Sequence, residues 1–241
     1  MTAYPHMHQN YDFGVGGNNQ RTSQWYKSFH AVELPEFNRS VLEVMRQPLE
    51  DRKITISRAK YTIEYPCSFM FVASMNPCPC GYYGDLTHNC VCTPGQIQRY
   101  MNKISGPLLD RIDIQVEVSA LKYSQLSSAS SGEPSSEIRK RVIAARQIQE
   151  DRYREYPGIH CNAQMTDRLL HQHCVLDEET NNTLQMAMER LHLSARAYSR
   201  ILKVARTIAD LQGKDNIQMS HIAEAIGYRN LDRGDWAERG I

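Results

Sequence analysis

Four of the seven cysteines crowd into fifteen residues, Cys78, Cys80, Cys90 and Cys92, with the spacing C-x-C-x9-C-x-C. Four thiolates are the donor set of a closed tetrahedral zinc site, although zinc knuckles more often space each pair as C-x2-C. The residues between the pairs are almost free of aliphatic side chains, so burial cannot order them, and a bound ion is a physical reason for the loop to hold shape. Pro79, Gly81, Gly84 and Pro94 supply turn chemistry, and His88 is a spare ligand. Such a zinc would be structural, since four protein ligands leave no open position for water. The plainer reading is four unligated thiols. An odd cysteine total, with no apolar leader in the first residues, argues for thiols or metal ligands over a disulfide framework.

Immediately before the first pair, residues 67–75 form a mostly apolar run that stops at Asn76-Pro77. The run is too short to span a bilayer and is bounded like a central, buried strand. A polar Asn at the end of such a strand, followed by a Pro that cannot continue the ladder, sits where open α/β sheets place their ligands. Its bland alternative is a strand-end Asn bonding local backbone. Beyond the second pair, Gly106-Pro107-Leu108-Leu109-Asp110-Arg111-Ile112-Asp113 turns the chain into an expected second strand, residues 112–118. Arg111 lies beside Asp110 and Asp113, so a local salt bridge is its plain expectation.

Met75-Asn76-Pro77-Cys78-Pro79-Cys80-Gly81 and, later, Ser105 through Asp113 resemble the magnesium chelatase-like AAA+ ATPases of the ComM/YifB type. The resemblance runs from about residue 33 to residue 229. It implies the C-terminal part of an α/β P-loop NTPase core followed by an all-α lid. It also implies ATP and Mg²⁺ as cofactors, a homo-oligomeric ring (a hexamer), DNA as the partner and a bacterial-type cytoplasmic setting. In that family the ring drives branch migration in recombination and natural transformation. Carried onto this chain, Glu33 polarises the attacking water, Asn76 senses the γ-phosphate, Arg111 acts on a neighbour's nucleotide, and Arg196 reaches in from the lid with Arg200 as the spare. An arginine in the first turn of a helix, where anions are already favoured, is a reasonable phosphate ligand.

The sequence departs from the family in two places. Val32 stands where the family has the Asp that holds Mg²⁺. Gly14-Val15-Gly16-Gly17 has neither the Lys nor the hydroxyl of G-x-x-x-x-G-K-[S/T]. The chain by itself is therefore expected not to hydrolyse ATP. Three rival functions stand beside this one: a magnesium chelatase subunit of tetrapyrrole synthesis, a zinc-stabilised non-enzymatic module that docks on a complete ring, and a DNA-binding module.

The elements that must position these residues follow in order. Residues 1–30 are poor in aliphatics and read as irregular or vestigial, and residues 31–121 as a partial core. Ser40 and Glu43 have capping-box spacing for a helix with Val41, Leu42, Val44 and Met45 on its apolar side, interrupted at Pro48. Residues 54–57 and 61–65 alternate as a hairpin. Residues 96–103 read as a short helix ended by Gly106-Pro107. Residues 122–136, rich in Ser, are a linker. A helical lid fills 137–230, with helices at 137–156 (capped by Ser135 or Ser136), 177–191, 194–211 and 220–228, and 231–241 is a polar tail. Ile201, Leu202, Val204, Ala205, Ile208 and Leu211 line one face of the third. Arg139, Lys140, Arg141, Arg146, Arg152 and Arg154 read as a solvated helix face rather than a phosphate track. Composition agrees with a globular chain: 241 residues, net charge +1, 41% hydrophobic and 23% charged. Nothing in that balance argues for nucleic acid or an acidic substrate, and no run is long enough for a membrane.

Overall fold

The computed structural model describes residues 27–58, 61–85, 87–118 and 132–229. These fall into two compact units, one running to Ile112 and the other starting at Asp113. The first mixes strands and helices and the second is all helical, as expected for an AAA+-type core ending in a lid. The phosphate-loop question at residues 14–17, the linker serines and the tail lie outside the described residues.

In the first unit, β1 (Lys27–Ala31) starts inside the segment expected to be irregular to residue 30. Its Lys-Ser-Phe-His-Ala sequence has little strand propensity of its own. Pairing supplies what propensity does not. β2 (Lys53–Arg58) and β3 (Tyr61–Pro66) form the antiparallel hairpin that alternation predicts, with residues 59–60 outside the described set. β4 (Phe69–Ala73) runs parallel to β1, in register from Lys27 opposite Phe69 to Ala31 opposite Ala73. The Phe29 ring stacks on Phe71 at 5.9 Å and meets Phe69 edge-on at 6.1 Å. Below them Ala31, Leu34, Leu42, Ile104 and Leu108 make the core. Each fully buried leucine stabilises the fold by about 1.5–3 kcal/mol.

Several expectations need correction. β4 is not buried on both faces: Met70 and Val72 are exposed. Its composition is that of a doubly covered parallel strand, but among the described residues it has only β1 as a neighbour. Residues 112–118 form no ladder; instead the Gln115 N–H donates to the Tyr228 carbonyl at 2.9 Å. The cap of α1 (Arg39–Val44) is Asn38, whose Oδ1 accepts from the Ser40 N–H at 3.0 Å, and Glu43 accepts from Arg46 rather than closing a box. Of its apolar side only Leu42 is buried, while Val41 and Val44 face solvent. Pro48 does not stop the chain, because a second helix, α2 (Arg46–Asp51), carries it in the first turn, where no N–H is needed.

α3 (Pro94–Met101) begins earlier than expected, for a reason visible at its start. Thr93 and Gln96 form a reciprocal capping box, with the Thr93 N–H donating to Gln96 Oε1 at 2.8 Å, and Pro94 occupies the first turn. Gly106-Pro107 opens α4 (Gly106–Leu109) instead of merely ending α3.

The helical unit contains α5 (Ser135–Arg152), α6 (Asp167–His173), α7 (Glu178–Arg190), α8 (Ala195–Leu211) and α9 (Met219–Gly227). α5 stops four residues before Tyr156, and its cap position is Pro134, so neither Ser135 nor Ser136 caps it. Asp177 caps α7 and Ser194 caps α8, accepting from Thr180 and Ala197 N–H groups at 2.8 and 3.2 Å. Gly213, at φ 63°, takes the left-handed turn that closes α8. Ile201, Leu202, Ala205 and Ile208 are buried as the periodicity requires, Val204 is half-buried, and Leu211 is exposed because the helix ends there.

Candidate strand-end site and metal centre

β1 and β4 carry Glu33 and Asn76 to the same edge. Past the strands the pairing continues: Ser74 N–H donates to Ala31 C=O, and Leu34 N–H donates to Ser74 C=O, both at 2.9 Å. Val32, Glu33 and Asn76 therefore leave the C-terminal end of one parallel pair, the edge where α/β sheets gather ligands. Glu33 is exposed and holds φ 54° and ψ 58°, a left-handed conformation uncommon for a residue with a Cβ. Val32, just past the end of β1, is 69% exposed, an apolar side chain facing water. Asn76 is exposed, and its backbone N–H faces the Tyr100 hydroxyl. Burial raises the Tyr100 pKa, with the Asn76 contact opposing.

Arg111 lies in a polar cleft of the same unit lined by Glu43, Arg46, Gln47, Glu50 and Asp51. Its guanidinium pairs with Glu50 and donates from Nη1 to the Pro107 carbonyl at 2.6 Å. The local reading expected a salt bridge to a neighbouring aspartate; Arg111 takes Glu50 instead, and Asp113 pairs with Arg200. In the helical unit, Arg196 is exposed in the first turn of α8.

The four cysteines converge. Sγ of Cys78 is 3.3 Å from that of Cys80 and 3.7 Å from that of Cys90, Cys80 and Cys90 are 3.5 Å apart, and all four sulfurs lie within 4.8 Å of one another. Zinc–sulfur bonds of about 2.3 Å in a tetrahedron put sulfurs about 3.8 Å apart, so the quartet fits a thiolate-bound ion. His88 is engaged elsewhere: its ring stacks on Tyr82 at 4.8 Å and faces the Asp85 carboxylate at 3.6 Å. Asp85 itself accepts from Thr87 and His88, which holds its pKa down at about 2. The Tyr82 N–H, with that of Val91 and the thiols of Cys78 and Cys92, outweighs burial and brings Cys80 down to about 6. At Cys90 the Cys92 N–H favours the thiolate, but burial and the Cys80 and Cys78 sulfurs prevail and push it up to about 12. Burial, then the Cys80 sulfur, also raises Cys92. Negative charge shared among crowded sulfurs is what a cation neutralises.

Residues 29–126 match the family described as Magnesium chelatase, subunit ChlI, and residues 132–229 match Magnesium chelatase, subunit ChlI C-terminal. Over 202 residues the chain is 46% identical to "Competence protein ComM" of Haemophilus influenzae. It is 43% and 42% identical to "Uncharacterized protein YifB" of Salmonella typhimurium and Escherichia coli. The chain belongs to the magnesium chelatase-like family of the ComM/YifB type. Each alignment covers 83% of this chain but 38% of the relative, so the chain spans well under half the length of the ComM and YifB proteins it matches. No helix among the described residues is long and apolar enough to cross a membrane.

The helical unit contains a polar centre that sequence reasoning missed. Arg152, expected on a solvated face, turns inward and grips Asp210 through two bonds of 2.7 and 2.6 Å. Arg206 Nε and Asn162 Nδ2 also donate to that carboxylate, at 3.1 and 2.8 Å, and the Tyr153 hydroxyl and Arg152 donate to Asn162 Oδ1. The signal was the pair Arg206 and Asp210, one turn apart on the face of α8 that otherwise buries Ile201, Leu202 and Ala205.

Proposed function

We propose that this chain is the strand-end and lid portion of an AAA+ machine that couples ATP binding and hydrolysis to DNA processing, as in branch migration during recombination. In this reading Glu33 polarises the attacking water, Asn76 contacts the γ-phosphate, Arg111 serves the nucleotide of an adjacent subunit in a hexameric ring, and Arg196 closes from the lid. The carrying observation is that Glu33 and Asn76 leave the same end of one parallel strand pair. The cysteine quartet holds zinc in a structural role, and the setting is cytoplasmic. The division into partial core, linker, lid and tail at residues 31–121, 122–136, 137–230 and 231–241 belongs to the same reading.

Phosphoryl transfer rests on positioning and electrostatics, so a missing phosphate cradle removes most of the catalysis. The 241 residues contain no G-x-x-x-x-G-K-[S/T], and Val32 cannot ligate Mg²⁺. Among the described residues Val32 leaves the strand end without the metal-holding carboxylate, and the chain alone is inactive toward ATP. A chimera tests the reading: this chain joined behind the upstream part of Haemophilus influenzae ComM, with Val32→Asp. Glu33→Gln and Asn76→Ala each cut its ATP turnover, and Arg111→Ala cuts it by about 10³-fold or more. An assembled, active chimera indifferent to all three substitutions overturns the assignment.

The missing cradle together with the cysteine quartet favours one second reading, a metal-stabilised module that docks on a complete ATPase without turning over ATP. Capture of a full-length relative by the chain, with Arg111→Ala having no effect on that relative's turnover, distinguishes it from the first.

A further inference from the structure

The two cysteine pairs abut two different elements. Cys78 and Cys80 follow the end of β4, and Cys92 directly precedes Thr93, the cap of α3. Asn76 stands between Met75 and Pro77-Cys78. Met75 and the fully buried Cys78 pack with Ile97, Tyr100 and Met101 of α3, and the Tyr100 hydroxyl faces the Asn76 backbone N–H. Among the described residues of the intervening segment, Tyr83 packs against that cluster, while Asp85, Thr87 and His88 bond among themselves. The sulfur quartet adds a second tie between strand end and helix start, beside the packing of Met75 and Cys78 on α3.

We propose that a metal ion held by Cys78, Cys80, Cys90 and Cys92 staples the end of β4 to the start of α3, and that this staple, acting through Cys78 and Tyr100, fixes the position of Asn76. Without a cation, closing the loop has no compensating bond. The consequence for catalysis rests on the nucleotide reading of Asn76, because a shift of about 1 Å at a positioning residue costs about 10²-fold in rate. The staple itself does not depend on that reading.

Hydrogen exchange on the full chain separates the two. Chain loaded with one equivalent of zinc chloride is compared with chain stripped by a chelator. Amides in residues 74–78 and in the first turn of α3 exchange about tenfold more slowly with zinc, while the hairpin at residues 53–66 and the helical unit do not change. Cys80→Ser abolishes the difference. Should that variant fail to fold, Tyr100→Phe serves: it keeps the cobalt–thiolate absorption and the protection of α3 but loses protection at residues 74–78. Absence of metal binding, binding with no change at residues 74–78, or equal protection of the hairpin each overturns the staple. Failure of the nucleotide reading shows separately, as chimera turnover unmoved by Asn76→Ala with the exchange protection intact.

Discussion

Arg111 and Glu50, 61 residues apart, form an ion pair in which the arginine side chain is 7% exposed and the glutamate 40%. The arginine assigned to a neighbouring subunit's nucleotide is thus drawn into its own unit, with one nitrogen on Glu50, one on the Pro107 carbonyl, and Nε buried without a partner among the described residues. Reaching outward requires exchanging Glu50 for a different anion, and a phosphate oxygen is chemically suited to that exchange.

Glu50→Ala removes the counter-charge from a guanidinium that stays largely buried. Breaking a fully buried pair costs about 3–5 kcal/mol, and solvent screening at the half-exposed Glu50 reduces this to about 1–3 kcal/mol. A lowered urea midpoint with unchanged slope reports it, and Glu50→Gln falls between the variant and the parent.

Asp210→Ala is the costlier change. Its side chain is 0% exposed and carries bonds from Arg152, Arg206 and Asn162, so its removal leaves two inward guanidinium groups without their anion. A loss of about 3–5 kcal/mol is expected, read as a fall in the melting temperature of the helical signal. Asp210→Asn keeps the shape and loses less.

The helical unit is expected to be most stable between about pH 6.5 and pH 9, the ordinary values of His and Cys. His221 is wholly buried between the Gln218 N–H and the Gln212 side chain. Burial, then Arg206 and Lys214 against Glu224, lowers its pKa, and burial with Arg152 and Arg206 lowers that of His173. The fold holds both rings neutral while the unfolded chain protonates them near 6.5, so stability falls as pH drops below that value. On the alkaline side burial pushes Cys174 and Tyr153 up to about 12, while unfolded they ionise near 9 and 10, so stability falls as pH rises past 9. Melting temperatures from pH 5 to 11 follow this plateau, and His221→Asn flattens its acid limb. A melting temperature that rises on acidification from 6.5 contradicts the assignment.

Val32→Asp in the chimera places a carboxylate at the exposed end of β1, beside Glu33. Magnesium-dependent ATP turnover rises relative to the Val32 chimera, whereas Val32→Asn gives little.

Elements set by local pattern were legible in advance: the alternating hairpin, the start of α8 at Ser194, the amphipathic face of α8 and the cysteine spacing. What was not legible depended on partners distant in sequence. β1 exists because Ala31 and Phe29 lie in register with Ala73 and Phe71, not because its residues favour a strand. Residues 112–118 have strand composition but no neighbour strand among the described residues, so one backbone bond from Gln115 to Tyr228 takes the place of a ladder. Arg111 looked local and went to Glu50; Arg152 looked solvated and went to Asp210. Long charged side chains choose partners by three-dimensional proximity, which spacing along the chain does not encode.

The most direct test is steady-state ATP turnover by the purified 241-residue chain with magnesium, in the presence and absence of branched DNA. The account calls for no phosphate release above the protein-free blank under either condition. Sustained turnover that Arg196→Ala abolishes would contradict it, because a lid arginine would then be acting on a nucleotide held without the phosphate loop and the magnesium carboxylate.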